Sequence, residues 1–402
     1  MKILVINAGS SSIKYELFDM DQRQALSSGL AEKIGEENSV LTHKYMSAAG
    51  DRKMIVEKGK IKDHYQGLQR SVDLLMDPQH GVIGHRAEIA AVGHRVVHGG
   101  EFFQASTRID EQVLAAIRQC VSLAPLHNPA NLMGIEVARK IFPEAAQVAV
   151  FDTAFHQSLP EHAYLYAIPL ALYEKHKIRR YGFHGTSHAF VAEAVAAFLR
   201  RPLTQLSLIT IHLGNGASMC AIQAGKSVDT SMGLTPLAGL PMGTRCGDID
   251  PSILLVLAER VGMSIEDLDE LLNKKSGLLG LCGVNDMREV IRKKQAGDKQ
   301  AKTALKVYSY QIKKYIGAYV ACLGHVDALV FTAGIGENSP VVRELCCRNL
   351  QALGIEIDNE KNDSPANGTR EISASGSKVK VLVVPTNEEL RIAQETQRLI
   401  DG

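Results

Sequence analysis

The chain has almost no net charge, no apolar run long enough to span a bilayer and no regular cysteine framework, and each absence removes a class of function. Forty-five Lys and Arg against forty-four Asp and Glu leave a formal charge of +1 over 402 residues. That balance argues against nucleic acid as the main partner, so any anion is bound locally. Apolar runs such as Val381 to Val384 fall far short of the roughly 20 residues a spanning helix needs, and no membrane partner is expected. Met1 and Lys2 lead straight into a β-type run at Ile3 to Asn7, so no secretory leader is expected and a cytoplasmic location is. Seven cysteines at irregular spacing, with only Cys346 and Cys347 adjacent, read as free thiols of a reducing compartment, and none is given a catalytic role.

A composition of 45% hydrophobic and 22% charged residues is that of a globular chain with room for two domains. Short β-type runs alternate with helical patterns, which predicts an α/β fold. Gln66 to Met76 sets Leu68, Val72 and Leu75 on one helical face. Asp110 is placed to cap a helix through Val113, Leu114 and Ile117, and Asn128 followed by Pro129 opens another. Lys302 to Leu323 carries Leu305, Tyr308, Ile312, Tyr315, Ile316 and Tyr319 at helical spacing, best read as a core face. The polar stretch 359–378 reads as an exposed hairpin.

Two turns stand out. "VINAGSSSIK" from Val5 is a β-type run that breaks into Gly and three Ser before resuming at Lys14. Such a turn offers backbone N–H groups and hydroxyls to an anion, with Lys14 as a cation beside them. It lacks the spacing of a Walker loop. "HLGNGAS" from His212 to Ser218 repeats the strand, small-residue turn, strand pattern about two hundred residues later. Duplicated lobes and two independent Gly-rich hairpins explain this pattern equally well.

Other groups have the chemistry of an anion site without fixing it alone. Arg95 lies in "GHRVVHGG" and Arg245 in "MGTRCGD"; a guanidinium fork suits carboxylate or phosphate, although a lone loop Arg is more often a surface charge. His184 and His188 in "HGTSH" have a metal-ligand spacing, but Gly-Thr-Ser makes poor helix and no Glu follows as in zinc proteases, so a metal there is rejected. Asp152 follows the apolar run Gln147 to Phe151, at the carboxyl end of a strand where α/β sites collect.

The blocks "VINAGSSSIK", "GHRVVHGG", "PLHNPAN" from Pro125, "FDTAFH" from Phe151, "RYGFHGTSH" from Arg180, "HLGNGAS", "TPLAGLPMGTRCGDID" from Thr235, "GVNDMR" from Gly283, "AGIGEN" from Ala333 and "PTNEE" from Pro385 span nearly the whole chain. In this order they resemble the acetate kinase (acetokinase) family. The resemblance implies the fold of the sugar kinase, heat-shock chaperone and actin superfamily: two ribonuclease-H-like lobes with a nucleotide cleft between them, assembled as a homodimer. Residues 1–152 with 388–402 would form the N-terminal lobe on the substrate side. Residues 153–387 would form the C-terminal lobe, with the nucleotide and the dimer interface.

The implied reaction is ATP plus acetate giving ADP and acetyl phosphate, reversibly, with Mg²⁺ or in its place Mn²⁺. Acetate is ionised at neutral pH, since such an acid titrates near ~4 to 5, and no base has to deprotonate it. The difficulty is to bring an anion in line with a polyanionic phosphate, which calls for Arg, His and a metal rather than a Ser or Cys nucleophile. By resemblance Arg95 meets the substrate carboxylate, Arg245 stabilises the transferring phosphoryl group and His184 donates to it, with His188 structural. Asp152 has a catalytic role, read here as positioning the metal and the arginines, and Asn7 and Glu388 assist the metal. Ser10, Ser12 and Lys14 belong to the first phosphate turn. The nucleotide contacts implied are His212, Leu213, Gly214, Asn215 and Gly216; Asp286, Met287 and Arg288; and Gly334, Ile335, Gly336, Glu337 and Asn338. Ala333 stands where relatives often carry Gly. Val97, Leu126, Phe183 and Pro236 are implied to line a small acyl pocket, and Val97 fits acetate better than propionate. The alternatives are a propionate-preferring acyl kinase and, at a distance, a chaperone-like or actin-like ATPase, which would have no use for a second small-substrate pocket.

Overall fold

A computed structural model describes residues 1–402 apart from 48–49, 126 and 366–367. The chain forms two compact units, Met1–Gln157 with Asn387–Gly402, and Ser158–Thr386. The first unit extends past Asp152 because Thr153 and Gln157 are tied back to it: Gly99 N–H donates to Thr153 Oγ1 (3.1 Å) and Gln157 Nε2 to the Gly100 carbonyl (3.1 Å).

The first unit is built on an eight-stranded sheet in the order β5-β4-β3-β2-β1-β6-β8-β7. Its strands are β1 (Lys2–Gly9), β2 (Ser12–Asp19), β3 (Gln24–Glu32), β4 (Val40–Met46), β5 (Arg52–Lys58), β6 (Ile89–Val96), β7 (Thr107–Arg108) and β8 (Ala146–Phe151). β1 to β5 form an antiparallel meander, whereas β6 is parallel to β1 and β8 to β6. Alternation along β1 sends its side chains to two faces. Leu4 and Ile6 pack with Leu68, Val72 and Leu75 of the helix His64–Leu75 and with Val137, Ala138 and Ile141 of the helix Asn128–Ile141. Ile3 and Val5 pack with Ile392 and Ala393 of the closing helix Glu388–Asp401. Each fully buried aliphatic side chain contributes about 1.5 to 3 kcal/mol of transfer free energy. Gly93 in β6 lets the closing helix approach, since a Cβ there would stand 2.4 Å from Thr396 Oγ1.

The second unit holds a six-stranded sheet in the order β11-β10-β9-β12-β14-β13, from β9 (Ser207–Leu213), β10 (Ala217–Gln223), β11 (Lys226–Thr230), β12 (Ala328–Thr332), β13 (Arg370–Glu371) and β14 (Lys380–Val383). β9, β10 and β11 are antiparallel neighbours, β12 and β14 continue parallel to β9, and β13 is antiparallel to β14. The order, directions and chain sequence are those of β3-β2-β1-β6-β8-β7 in the first unit. Two unrelated hairpins would not each carry the same four further strands, so the topology favours duplication. The helix Lys299–Leu323, capped by Asp298, packs on β9 and β10 with Leu305, Tyr308, Ile312, Ile316 and Tyr319 buried. By contrast, Ile253, Leu255, Val256, Val261 and Ile265 are exposed on the segment 252–265, Ile265 by 81%.

The stretch 359–378 departs from the exposed hairpin expected of it. It opens with the helix Asn359–Asp363, and Asn362 is only 2% exposed, because its side chain satisfies a buried arginine.

Candidate active site

In the first unit, the chemistry gathers where β1, β6 and β8 end. Arg95, in β6 opposite Val150, turns its guanidinium onto Asp152, the residue that follows β8. Nη2 donates to Oδ2 at 2.6 Å, and Nε lies 3.2 and 3.1 Å from Oδ1 and Oδ2. Asp152 is 1% exposed. Burial presses the Arg95 guanidinium toward neutrality, but Asp152, Glu388 and Glu389 outweigh it and hold its pKa above the ordinary value. Asn131, on the helix Asn128–Ile141, donates to the Ala8 carbonyl (2.9 Å) and accepts from Val97 N–H (3.0 Å), joining the ends of β1 and β6.

Glu388 opens the closing helix, which Asn387 caps by accepting from Leu390 N–H at 2.9 Å. Burial pushes the Glu388 carboxyl up to about 7; Arg95 pulls it down, while Asp152 and Glu389 add to the rise. Glu16 is likewise raised to about 7, first by burial and then by Glu389, with Lys14 opposing. Lys14 pairs with Glu389 rather than standing alone beside the Ser turn. Carboxylates thus outnumber the cations here, and a divalent ion would relieve that imbalance. Among the described residues no three His, Cys, Asp or Glu side chains form a chelating set. Asn7 in β1 and Glu388 at the head of the closing helix could hold an ion only if phosphate oxygens and water supplied most of its ligands.

Ser10 is exposed and Ser12 half-buried at the turn after β1, whose Gly9 carbonyl is bound by His64 Nε2 (2.7 Å). Of the expected acyl-pocket residues, Val97 belongs to the first unit and is buried. Phe183 and Pro236 belong to the second, buried and half-buried respectively, and Leu126 lies outside the described residues.

In the second unit, His184 precedes the helix Gly185–Leu199 with φ 57° and ψ 22°. This left-handed conformation is uncommon for a side-chain-bearing residue. Its Nδ1 bonds Ser218 Oγ (2.9 Å), and its ring stacks on His212 at 4.2 Å between centroids. Ser218 Oγ also meets His188 Nε2 (2.8 Å), and His188 Nδ1 meets Thr210 Oγ1 (2.7 Å). Ser187 Oγ bonds His212 Nδ1 at 2.8 Å. Neither Ser218 nor Ser187 is distinguishable from an ordinary strand or helix serine in the sequence; only the returning hairpin brings them to the imidazoles.

The turn 214–216 is where His184 and Arg245 come together. A Cβ on Gly216 would stand 3.2 Å from His184 Cε1 and 3.3 Å from its Nε2, a tight approach, and 3.7 Å from Arg245 Nη1, an ordinary contact, so both groups border this turn. Arg245 Nη1 reaches the Pro236 carbonyl at 3.4 Å, and no carboxylate pairs with it among the described residues. Burial lowers its pKa. Its loop is pinned by Met242 N–H to the Arg245 carbonyl (3.0 Å) and Leu278 N–H to the Met242 carbonyl (2.9 Å).

Beside this turn a cavity of about 490 Å³ is lined by Gly214, Asn215, Asp286, Met287, Arg288, Gly334, Ile335 and Asn338, all expected as nucleotide contacts, and by Asn285, Ile291 and Ser339, which were not. His212 and Leu213 sit inside β9 rather than in the turn, and Leu213 is wholly buried. Gly336 and Glu337 do not line the cavity: Gly336 packs toward Phe331, and Glu337 Oε1 accepts from Thr386 N–H at 3.2 Å. "AGIGEN" forms a short helix, Ala333–Asn338, entered through Ala333 at φ 63°. Asp286 caps the helix Met287–Gln295, accepting from Arg288 N–H at 2.8 Å, and the Arg288 side chain holds its pKa down at about 2.

The chain matches the model of the acetokinase family over residues 2–394. It is 52% identical over 402 residues, covering all of both chains, to acetate kinase of Oleidesulfovibrio alaskensis. The solved acetate kinase of Porphyromonas gingivalis superposes with a TM-score of 0.94 at 44% identity, and the solved propionate kinase of Francisella tularensis with 0.92 at 45%; each comparison covers 99% of both chains. With its blocks in family order, its two α/β sheets and full-length matches on both counts, this chain belongs to the acetokinase family.

Proposed function

We propose that this chain catalyses reversible transfer of the γ-phosphoryl group of ATP to acetate, giving ADP and acetyl phosphate, with Mg²⁺ as the divalent ion and Mn²⁺ able to replace it. The observation that carries the reading is the approach of His184 and Arg245 to Gly216 beside the 490 Å³ cavity. A guanidinium with no carboxylate of its own is poised for charge that a ligand brings. No hydroxyl or thiol nucleophile is needed, because acetate is itself the attacking anion and displaces ADP oxygen in line.

The first unit supplies Arg95, which Asp152 holds by two N–H groups, for the acetate carboxylate. With its carboxylate taken up in this way, Asp152 acts as a positioning group. Asn7 and Glu388 would hold the ion, which neutralises phosphate charge when bound. His184 donates to the phosphoryl group in flight, its ring fixed by Ser218 and His212. Val97 favours acetate, and the extra methylene of propionate should cost ~1 to 3 kcal/mol. A propionate-preferring enzyme is the second reading, favoured by the likeness to a solved propionate kinase. We further infer a homodimer joined through the exposed apolar residues of 252–265, whose burial would be favourable. Among the described residues no helix is long and apolar enough to cross a membrane.

Incubation with ATP, Mg²⁺, hydroxylamine and either acid tests the reading. Acetohydroxamate should form in step with ADP and exceed propionohydroxamate at equal acid concentration. ADP without hydroxamate would support an ATPase instead.

A further inference from the structure

Arg343, on the helix Pro340–Cys347, is fully buried, and no Asp or Glu forms an ion pair with it among the described residues. Burial, and then the Arg370 charge, pull its pKa down to about 10 against the opposing charge of Asp363, which still leaves it charged at neutral pH. A buried cation without a counter-ion is costly unless its donors are satisfied. Here they are spent on two segments. Nη1 donates to the carbonyls of Gly336 (2.9 Å) and Glu337 (2.8 Å), at the carboxyl end of the helix Ala333–Asn338. Nε donates to Asn362 Oδ1 (2.7 Å) and Nη2 to the Asn362 carbonyl (2.7 Å), while Asn362 Nδ2 donates to the Pro340 carbonyl (3.0 Å).

The helix so held is six residues long and begins at a left-handed alanine. So short a helix does not sustain itself, and a cation at its carboxyl end complements the orphan carbonyls. Its other residues Gly334, Ile335 and Asn338 line the 490 Å³ cavity. We propose that Arg343, locked by Asn362, is a positioning residue for nucleotide binding: it fixes the helix that forms one wall of the nucleotide cavity without touching the ligand. This rests on the reading of that cavity as the ATP/ADP site.

The test compares Arg343→Lys and Asn362→Ala with the wild-type protein. Both variants should raise the KM for ATP and the Kd for ADP by calorimetry about 10-fold, while the KM for acetate and kcat move less than about 3-fold. A merely structural role would lower the active fraction, and with it apparent kcat, while leaving both KM values alone. That outcome, or ADP affinity unchanged in both variants, overturns the proposal. Wild-type protein that binds no ADP would instead sink the reading of the cavity. Should both variants fail to fold, hydrogen exchange on the wild-type protein decides. ADP should slow exchange in 358–363 as well as in 333–338, because Arg343 joins them; slowing confined to 333–338 overturns the proposal.

Discussion

The Arg95 guanidinium meets the Asp152 carboxylate through two nitrogens, with Nη2 to Oδ2 at 2.6 Å, on a carboxylate that is 1% exposed. This pair fixes the direction of the guanidinium before any substrate arrives. Asp152→Asn should therefore cost activity through misplaced Arg95, by about 100-fold or more in kcat/KM for acetate. The same variant leaves a half-buried guanidinium without its partner and should destabilise the fold by about 3 kcal/mol. Coupled assays and urea melts check the two effects separately. Full activity in this variant would remove Asp152 from the site.

Acid should weaken the first unit well above ordinary carboxylate pKa values. His43, His94 and His98 are buried, and burial is the leading cause that lowers each to about 4. In the unfolded chain such imidazoles titrate near ~6.5. For these three groups the unfolded state binds more protons between these values, so their contribution is complete above about pH 6.5 and is lost progressively as pH falls toward 4, by on the order of 2 to 3 kcal/mol for each histidine. Glu16 and Glu388, raised to about 7, offset part of the loss because their folded forms hold more protons across the same window. Thermal melts from pH 7.5 to 5 should show this slope, and His94→Gln should flatten it. A pH slope in His94→Gln equal to that of the wild type would contradict the assignment of His94.

Gly277 has φ 61°, and a Cβ there would stand 2.1 Å from the Met242 carbonyl oxygen and 2.7 Å from that of Arg245. Gly277→Ala must push the loop that carries Arg245. A displacement near 1 Å at a catalytic group costs about 100-fold, so kcat should fall by ~10- to 100-fold in a variant whose circular dichroism is native. Unchanged kcat would mean that the position of Arg245 is not critical.

Ala333 holds φ 63°, a conformation that costs a side-chain-bearing residue about 1 to 2 kcal/mol and glycine little. Ala333→Gly should be neutral or stabilising by up to about 1 kcal/mol, the gain being offset by the greater unfolded-state freedom of glycine. Ala333→Val should lower the melting temperature. Equal stability for all three would show that this backbone is unstrained.

The sequence was most legible where chemistry is local. The hairpin of β1 and β2, the helix starts at Asp110 and Asn128 and the tyrosine face of Lys299–Leu323 follow from alternation, capping and periodicity. Duplication was not decidable from two turns, because four of the six shared strands carry no motif and only their pairing order reveals them. The two glycines of "AGIGEN" give no helix signal, and the carbonyl contacts from Arg343 at the end of the helix Ala333–Asn338 come from a residue outside the motif. Asn362 hid in a polar stretch because its partner is distant in sequence. Asn131 and Ser218 likewise act only through contacts made after folding.

Arg245→Ala removes the guanidinium that no carboxylate pairs with among the described residues, and with it the charge neutralisation that the proposed transfer requires. This variant should fold, with its kcat for acetyl phosphate formation lowered by ~1,000-fold or more and its KM for ATP and acetate within about 3-fold of the wild type. A kcat near the wild-type value would contradict that requirement.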